Sequence, residues 1–222
     1  MRRNRVAWIL GGLAASLTAA GIASAGETGA IAGGRCPPAG THLIAHGRIL
    51  RVYTSGTGPL SGHAVDACLA GRPGRMTLLA ARAPGVGLGG RSLSVEASSG
   101  PLLAYSLTSF GVDSGSISLV IADVAARRVL RELAVGHYVD AGFGGSERVT
   151  KVVLGAEGAV GWIAESKGPG PASPTYSVHV AATVGEPRLL DEGETIGPSS
   201  LTLTGRQLHW SHAGIERSAR LI

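Results

Sequence analysis

The strongest constraint on the fold is a local pattern that recurs four times along the 222-residue chain. Each copy is an apolar strand, a glycine, and a second strand with an aromatic residue four to six positions after the glycine. The glycine and aromatic pairs are Gly47 and Tyr53, Gly100 and Tyr105, Gly158 and Trp162, and Gly205 and Trp210. This spacing is typical of a short hairpin turn that feeds a half-buried strand, so we expect the four aromatic side chains to lie in the core.

The second halves of two copies also match, at a constant offset of 60 residues. Residues 120–124 and 128–130 correspond to residues 180–184 and 188–190, and each set predicts two strands around a tight turn. Four-stranded meanders that repeat roughly every 45–60 residues are typical of β-propeller blades.

We therefore expect an all-β fold, a small β-propeller-like array of about four antiparallel meander units in a single domain. The domain is expected at residues 42–222, with units at residues 42–82, 92–136, 148–191 and 199–222. The last unit ends after its third strand, so an incomplete propeller and a two-sheet β-sandwich remain alternatives. The open sheet edges of an incomplete ring would invite partner strands.

Over residues 41–222 this pattern resembles the secreted bacterial β-propellers of the TolB/WD40-like kind. The resemblance is strongest to a group of uncharacterised exported proteins of high-GC Gram-positive bacteria. In that group, segments like residues 158–162, 208–210 and 217–221 recur. The resemblance implies a propeller fold and carries no known activity. Ordinary WD40 repeats are not supported, because the chain has no Trp-Asp dipeptide.

The N-terminus has the three parts of a secretory signal peptide. Arg2, Arg3 and Arg5 precede an uncharged run at residues 6–25, which ends in Ala-Ser-Ala. We expect residues 1–25 to be cleaved and the mature protein to be secreted or extracytoplasmic. The alternative is anchoring by an uncleaved helix, since 20 uncharged residues can cross a bilayer. A Gly- and Pro-rich segment follows at residues 26–41.

Cys36 and Cys68 are the only cysteines, and both lie in the expected mature chain. In an oxidising compartment an isolated pair predicts a disulfide bond. A metal-binding or redox-active pair is the alternative, but a spacing of 32 residues does not match the C-x-x-C motif of such pairs.

The positive charge of the chain belongs partly to the expected signal peptide. Without residues 1–25 the chain keeps 17 of its 20 Lys and Arg and all 15 Asp and Glu, so the net charge falls from +5 to +2. Basic residues do not cluster among aromatic residues. A nucleic-acid partner is therefore not expected.

Candidate ligand motifs are incomplete. Residues 85–90 match G-x-G-x-x-G by letter, but an alternating strand follows where a dinucleotide site needs a helix. No H-E-x-x-H motif or Cys/His array gathers the histidines into a metal site. The histidines are His42, His46, His63, His137, His179, His209 and His212. Acidic residues 191–194 and residues 113–116 follow strand ends, where Asp and Gly form turns, and neither is a calcium loop. We expect no metal and no cofactor.

The sequence nominates no catalytic residue, because it has no G-x-S-x-G elbow and no motif with paired carboxylates. We expect an exported, non-enzymatic binding or scaffold module of the cell envelope or extracellular space. Its partner would be an envelope or extracellular protein or a glycan, contacted by loops at residues 81–91, 136–148 and 167–175. The alternative is an extracellular lyase or hydrolase that acts on a polymer through a central pocket.

Overall fold

The structure is a computed structural model that describes residues 35–55, 64–81, 89–139, 145–170 and 173–221. The expected signal peptide at residues 1–25 lies outside the described residues. Residues 33–222 form one compact unit. Its described part contains fifteen β-strands and no α-helix, so the all-β fold expected from the sequence is confirmed. Within this part, no helix has the length and apolar character that crossing a bilayer requires.

Consecutive strands pair antiparallel except between β4 and β5 and between β12 and β13, and we group the strands into four sheets in chain order. Sheet 1 contains β1 (His42–His46), β2 (Leu50–Thr54), β3 (Val65–Leu69) and β4 (Arg75–Leu79). Sheet 2 contains β5 (Gly90–Ser99), β6 (Leu102–Phe110), β7 (Ser114–Asp123) and β8 (Arg128–Val139). Sheet 3 contains β9 (Ser146–Leu154), β10 (Val160–Lys167), β11 (Thr175–Ala181) and β12 (Arg188–Gly193). Sheet 4 has three strands, β13 (Thr202–Thr204), β14 (Gln207–His212) and β15 (Ile215–Arg220).

Sheets 2 and 3 are joined into one eight-stranded ladder by a single residue pair, Tyr138 of β8 with Ser146 of β9. Residues 136–139 and 146–148, expected in a contact loop, instead extend β8 and β9. Glycine allows this close approach, because a Cβ atom on Gly136 would lie 3.0 Å from the Cβ atom of Glu147. Residues 140–144 lie outside the described residues.

The core is divided into three apolar clusters, and each takes its members from two consecutive sheets. The first joins sheets 1 and 2 through residues such as Val52, Ala67, Leu103 and Val120. The second joins sheets 2 and 3 through residues such as Leu119, Ile121, Val160 and Trp162. The third joins sheets 3 and 4 through residues such as Ile163, Val178, Leu208 and Trp210. Strand pairing does not join sheet 4 to sheet 1 among the described residues, so the series of sheets is not closed.

The four aromatic residues of the sequence pattern occupy the same place in each sheet, on its second strand. Their exposed fractions are 1% for Tyr53, 3% for Tyr105, 3% for Trp162 and 5% for Trp210. The glycines before the last three adopt positive φ angles of 57°, 90° and 59° at Gly100, Gly158 and Gly205. A left-handed backbone at these hairpins explains why glycine stands there.

Cys36 and Cys68 lie at disulfide distance, with their Cα atoms 5.8 Å apart. Cys68 is buried on β3, and Cys36 lies in the segment before β1. The pair expected from the sequence therefore fits a bond that ties this segment to the middle of sheet 1.

Candidate ligand-binding groove

A groove of about 650 Å³ lies between the C-terminal half of β8 and the strands of sheet 3. Its lining residues are Ala134, Val135, Gly136, His137, Glu147, Trp162, Ala164, Glu165, Ser166, Ser177, His179, Pro187 and Leu189. We call it the β8 groove. A volume of this size is ordinary for a small-ligand site, and a mostly apolar lining with a few polar groups is the usual composition.

The floor of the β8 groove is a pair of stacked rings. Trp162 and His179 are directly opposite each other on β10 and β11. Their ring centroids are 5.1 Å apart and their planes differ by 10°. Because Trp162 is almost wholly buried in the second apolar cluster, it fixes the imidazole of His179 at the base of the groove.

His179 also forms a hydrogen bond inside the groove. Its Nε2 atom lies 2.8 Å from the Oγ atom of Ser177, two residues earlier on the same face of β11. Burial lowers the pKa of His179 below its ordinary value, while the carboxylates of Glu192 and Glu147 act in the opposite direction. Since burial prevails, the imidazole is neutral at neutral pH and exchanges a hydrogen bond with a neutral hydroxyl.

The mouth of the groove carries a carboxylate. His137 Nδ1 on β8 lies 2.9 Å from Glu147 Oε2 on β9, and both side chains are substantially exposed. Glu165 also borders the groove, but Arg148 holds it with contacts of 3.1 and 2.9 Å. That pairing raises the pKa of Arg148 and keeps the Glu165 carboxylate engaged. Glu147 is 38% exposed, whereas Glu165 is 12% exposed, so Glu147 is the carboxylate of the groove that is more accessible to a ligand.

A second polar cluster joins sheets 3 and 4 around the buried side chain of Asp191 on β12. Asp191 Oδ2 accepts hydrogen bonds from Trp210 Nε1 at 2.7 Å and His212 Nδ1 at 2.9 Å. Arg217 Nη1 donates to Oδ1 at 3.1 Å. Burial raises the pKa of Asp191, but the bonds from Trp210 and His212 and the charge of Arg217 outweigh burial and lower it. Both carboxylate oxygens of Asp191 are hydrogen-bonded, and no fully buried side-chain N or O atom of the described residues lacks a partner, so the arrangement is that of a structural joint.

A shallow depression of about 490 Å³ covers the opposite face of sheet 4, and its polar walls include Thr202, Thr204 and Ser211. His209 Nδ1 lies 2.8 Å from Glu216 Oε1 there. Trp210 is also among its lining residues, but this ring is only 5% exposed and its Nε1 atom is bound to Asp191. We therefore take the β8 groove as the candidate ligand site.

The histidines named from the sequence are dispersed. His42 and His46 are exposed on β1, and His63 lies outside the described residues. Among the residues that the structure describes, no group of three or more His, Cys, Asp or Glu side chains is placed to hold a metal ion. Of the G-x-G-x-x-G match at residues 85–90, only its last two glycines are described, and β5 begins at the second of them.

Two features of these sites were missed from the sequence. Asp191, interpreted as a turn residue, is instead in β12 and bound to sheet 4. The alternation of β11 put Ser177 and His179 on one face, which was the available signal for their contact. The sequence did not reveal that β8 lies opposite that face.

Comparison of the chain with protein-family models, with curated proteins and with solved structures finds no match. The resemblance to TolB/WD40-like propellers stays a prediction, and function must be argued from the site alone.

Proposed function

We propose that this protein is an exported, non-enzymatic binding module of the cell envelope or extracellular space, and that the β8 groove receives a neutral sugar unit of a glycan. The observation that carries the proposal is the imidazole of His179, stacked on Trp162 and flanked by Ser177 and Glu147. A flat ring beside hydroxyl and carboxylate groups is suited to a ligand with an apolar face and a polar rim.

The chemistry of the groove favours a neutral, polyhydroxylated ligand. A neutral His179 offers its ring face without the cost of desolvating a charge. The hydroxyls of Ser166 and Ser177 both donate and accept, and the Glu147 carboxylate accepts, as sugar hydroxyls require. The same carboxylate disfavours anionic ligands by charge repulsion.

Export is the second part of the proposal. It rests on the signal-like residues 1–25 and on the Cys36–Cys68 pair, which is of the kind that persists in oxidising compartments. As the finer description of the fold, we interpret the four sheets as blades of an incomplete propeller. The supporting feature is that each apolar cluster joins one sheet to the next in chain order.

Calorimetry and thermal unfolding with short neutral oligosaccharides of glucose, galactose or N-acetylglucosamine test the binding proposal. The full chain would be produced in an exporting host with its disulfide formed. A ligand at 100 times its dissociation constant adds about 2.7 kcal/mol of stability, which corresponds to a rise of roughly 5–10 °C in the unfolding midpoint. A flat response to the whole panel, or a preference for anionic oligosaccharides, would contradict the proposal.

Two variants locate the binding. His179→Ala removes the stacked ring and its bond to Ser177, so we expect a loss of affinity of about tenfold or more. His46→Ala is the matched control, because His46 is an exposed histidine on sheet 1, and its affinity should be unchanged. Equal losses in both variants would place the ligand elsewhere.

A hydrolase is the second candidate, and the Ser177–His179 contact of 2.8 Å favours it. A neutral imidazole can remove the proton of a hydroxyl that then attacks an acyl carbon. A fluorophosphonate probe followed by mass spectrometry tests this candidate. Stoichiometric labelling of Ser177 that is lost in Ser177→Ala would support a hydrolase. An unlabelled Ser177 would contradict the hydrolase and favour the binding module.

A further inference from the structure

The outer edge of sheet 4 is a strand edge with a defined chemical pattern. β15 pairs with β14 from Gln207 with Arg220 to His212 with Ile215. The amide of Leu221 donates to the carbonyl of Arg206 at 2.7 Å, so Leu221 directs its backbone groups toward β14. In an antiparallel strand the direction alternates. Glu216, Ser218 and Arg220 therefore direct their N–H and C=O groups away from the sheet.

Strand pairing does not cover this edge among the described residues, where sheet 4 ends at β15. An open edge of this kind is a template for another strand. Sheets 1, 2 and 3 have four strands each, whereas sheet 4 has three. A further strand beside β15 would give sheet 4 the same number.

We propose that β15 pairs antiparallel with β15 of a second copy of this chain, with Ser218 opposite Ser218 across a two-fold axis. In this register Glu216 of each copy lies opposite Arg220 of the other. All three residues with outward backbone groups then form hydrogen-bonded pairs. The interface is isologous, as a symmetric dimer requires.

The charges of β15 select this register over its neighbours. Sliding the strands so that Glu216 faces Glu216, or Arg220 faces Arg220, places like charges directly opposite each other, which is destabilising. A shift by one residue turns the outward N–H and C=O groups away from their partners. The register centred on Ser218 forms the most outward pairs and is the one that joins opposite charges twice.

On the opposite face of β15 this register places no like charges opposite each other. Ile215, which is 67% exposed, would lie opposite Leu221 of the second copy, which is itself buried in the third apolar cluster. Arg217, which already binds Asp191, would lie opposite the small side chain of Ala219. The self-complementary order of charge along one strand, with Glu216 and Arg220 on either side of Ser218, is why we assign a second copy, and not an unrelated strand, to this edge.

Sedimentation equilibrium of the full, oxidised protein over a range of concentrations tests the proposal. We expect a reversible monomer–dimer equilibrium that weakens with salt, because the new ion pairs are exposed. Glu216→Arg and Arg220→Glu each turn two attractive pairs into repulsive ones, so each should weaken dimerisation about tenfold or more. The double variant restores opposite charges, and its dissociation constant should return to within a fewfold of the original.

Two further variants keep the test independent of folding defects. Ser218→Pro removes an outward N–H that the sheet itself does not use, and proline is tolerated at such edge positions, so a folded monomer is expected. Glu194→Arg makes the same charge change at an exposed site outside β15 and should not alter dimerisation. A monomer at every concentration would overturn the proposal, as would a dimer indifferent to Ser218→Pro and to both charge reversals.

Discussion

Asp66 and Asp191 are both buried carboxylates on strands, but they are satisfied in different ways. Asp66 on β3 accepts a hydrogen bond from Thr77 at 2.7 Å, and the exposed Arg75 lies 3.8 Å away. Both partners come from β4 of the same sheet. Asp191 on β12 receives all three of its side-chain donors from sheet 4.

The difference shows that the contact between sheets 1 and 2 and the contact between sheets 3 and 4 are stabilised in different ways. Sheets 1 and 2 meet over an apolar cluster of thirteen buried residues, and Asp66 contributes only inside sheet 1. Sheet 4 has three strands, one of them only three residues long, and it meets sheet 3 over nine buried residues. Asp191 adds a charged joint to this smaller contact, with two of its donors able to carry positive charge.

Asp191→Ala should therefore have the largest effect on stability. The substitution leaves the buried donors of Trp210 and His212 without their shared acceptor, which costs about 1–3 kcal/mol for each, while the half-exposed Arg217 recovers water. Urea unfolding of the oxidised protein measures this loss. Asp113→Ala at an exposed position is the control and should change stability by less than about 0.5 kcal/mol. A loss below about 1 kcal/mol for Asp191→Ala would mean that the joint does not hold sheet 4.

Trp210→Phe should have the next largest effect, of about 2 kcal/mol. It removes one donor to Asp191 and leaves space in the third apolar cluster. Combining it with Asp191→Ala separates the two causes, because the hydrogen bond is already lost in the Asp191 variant. The double variant should be more stable than the sum of the single losses implies. Strict additivity would indicate that packing alone accounts for the effect of Trp210.

Asp66→Ala should cost less, about 1–2 kcal/mol, because it leaves a single neutral hydroxyl without its acceptor. Arg75 is largely exposed and recovers water when the carboxylate is removed. Thr77→Val removes the same hydrogen bond from the other side and provides the comparison. A loss for Asp66→Ala as large as that for Asp191→Ala would contradict the distinction between the two carboxylates.

Local pattern was enough to predict much of the fold. The glycine and aromatic spacing around Gly158 and Trp162 located a hairpin, and the structure places β9 and β10 on either side of it. The spacing of Gly205 and Trp210 likewise located the turn between β13 and β14 and put the aromatic side chain in the core. These inferences succeed because hairpin turns and the two-residue period of a strand are set by residues adjacent in sequence.

The sites depended on contacts that local pattern does not encode. Asp191 is followed by Glu-Gly-Glu, which favours a turn, yet donors 19 to 26 residues away bury it within a strand. Likewise, the β8 groove exists because β8 extends to Val139 and lies opposite Ser177 and His179. Which face of a strand meets which neighbour is decided by how the sheets stack.

The smallest expected effect is a dependence of stability on pH with two separate steps. His179 has a lowered pKa in the folded protein, so the unfolded chain binds its proton first as pH falls. The contribution of His179 to stability is complete above its pKa in the unfolded chain, about 6.5. It is lost as pH falls from there through the lower pKa of the folded protein. Asp191 also has a lowered pKa, so its contribution is complete above about 4 and is lost at lower pH.

The free energy of unfolding, measured from pH 8 to pH 3 for two variants, shows which step belongs to His179 and which to Asp191. His179→Phe keeps a ring against Trp162 and should remove the step that begins below about pH 6.5 while leaving the acid step of Asp191 intact. Asp191→Asn should lower stability above about pH 4, and its difference from the original protein should shrink at lower pH, where the carboxylate is protonated. The joint between sheets 3 and 4 and the β8 groove would then respond to acid independently. Loss of both steps in either variant would instead mean that the groove and the joint titrate as one cluster.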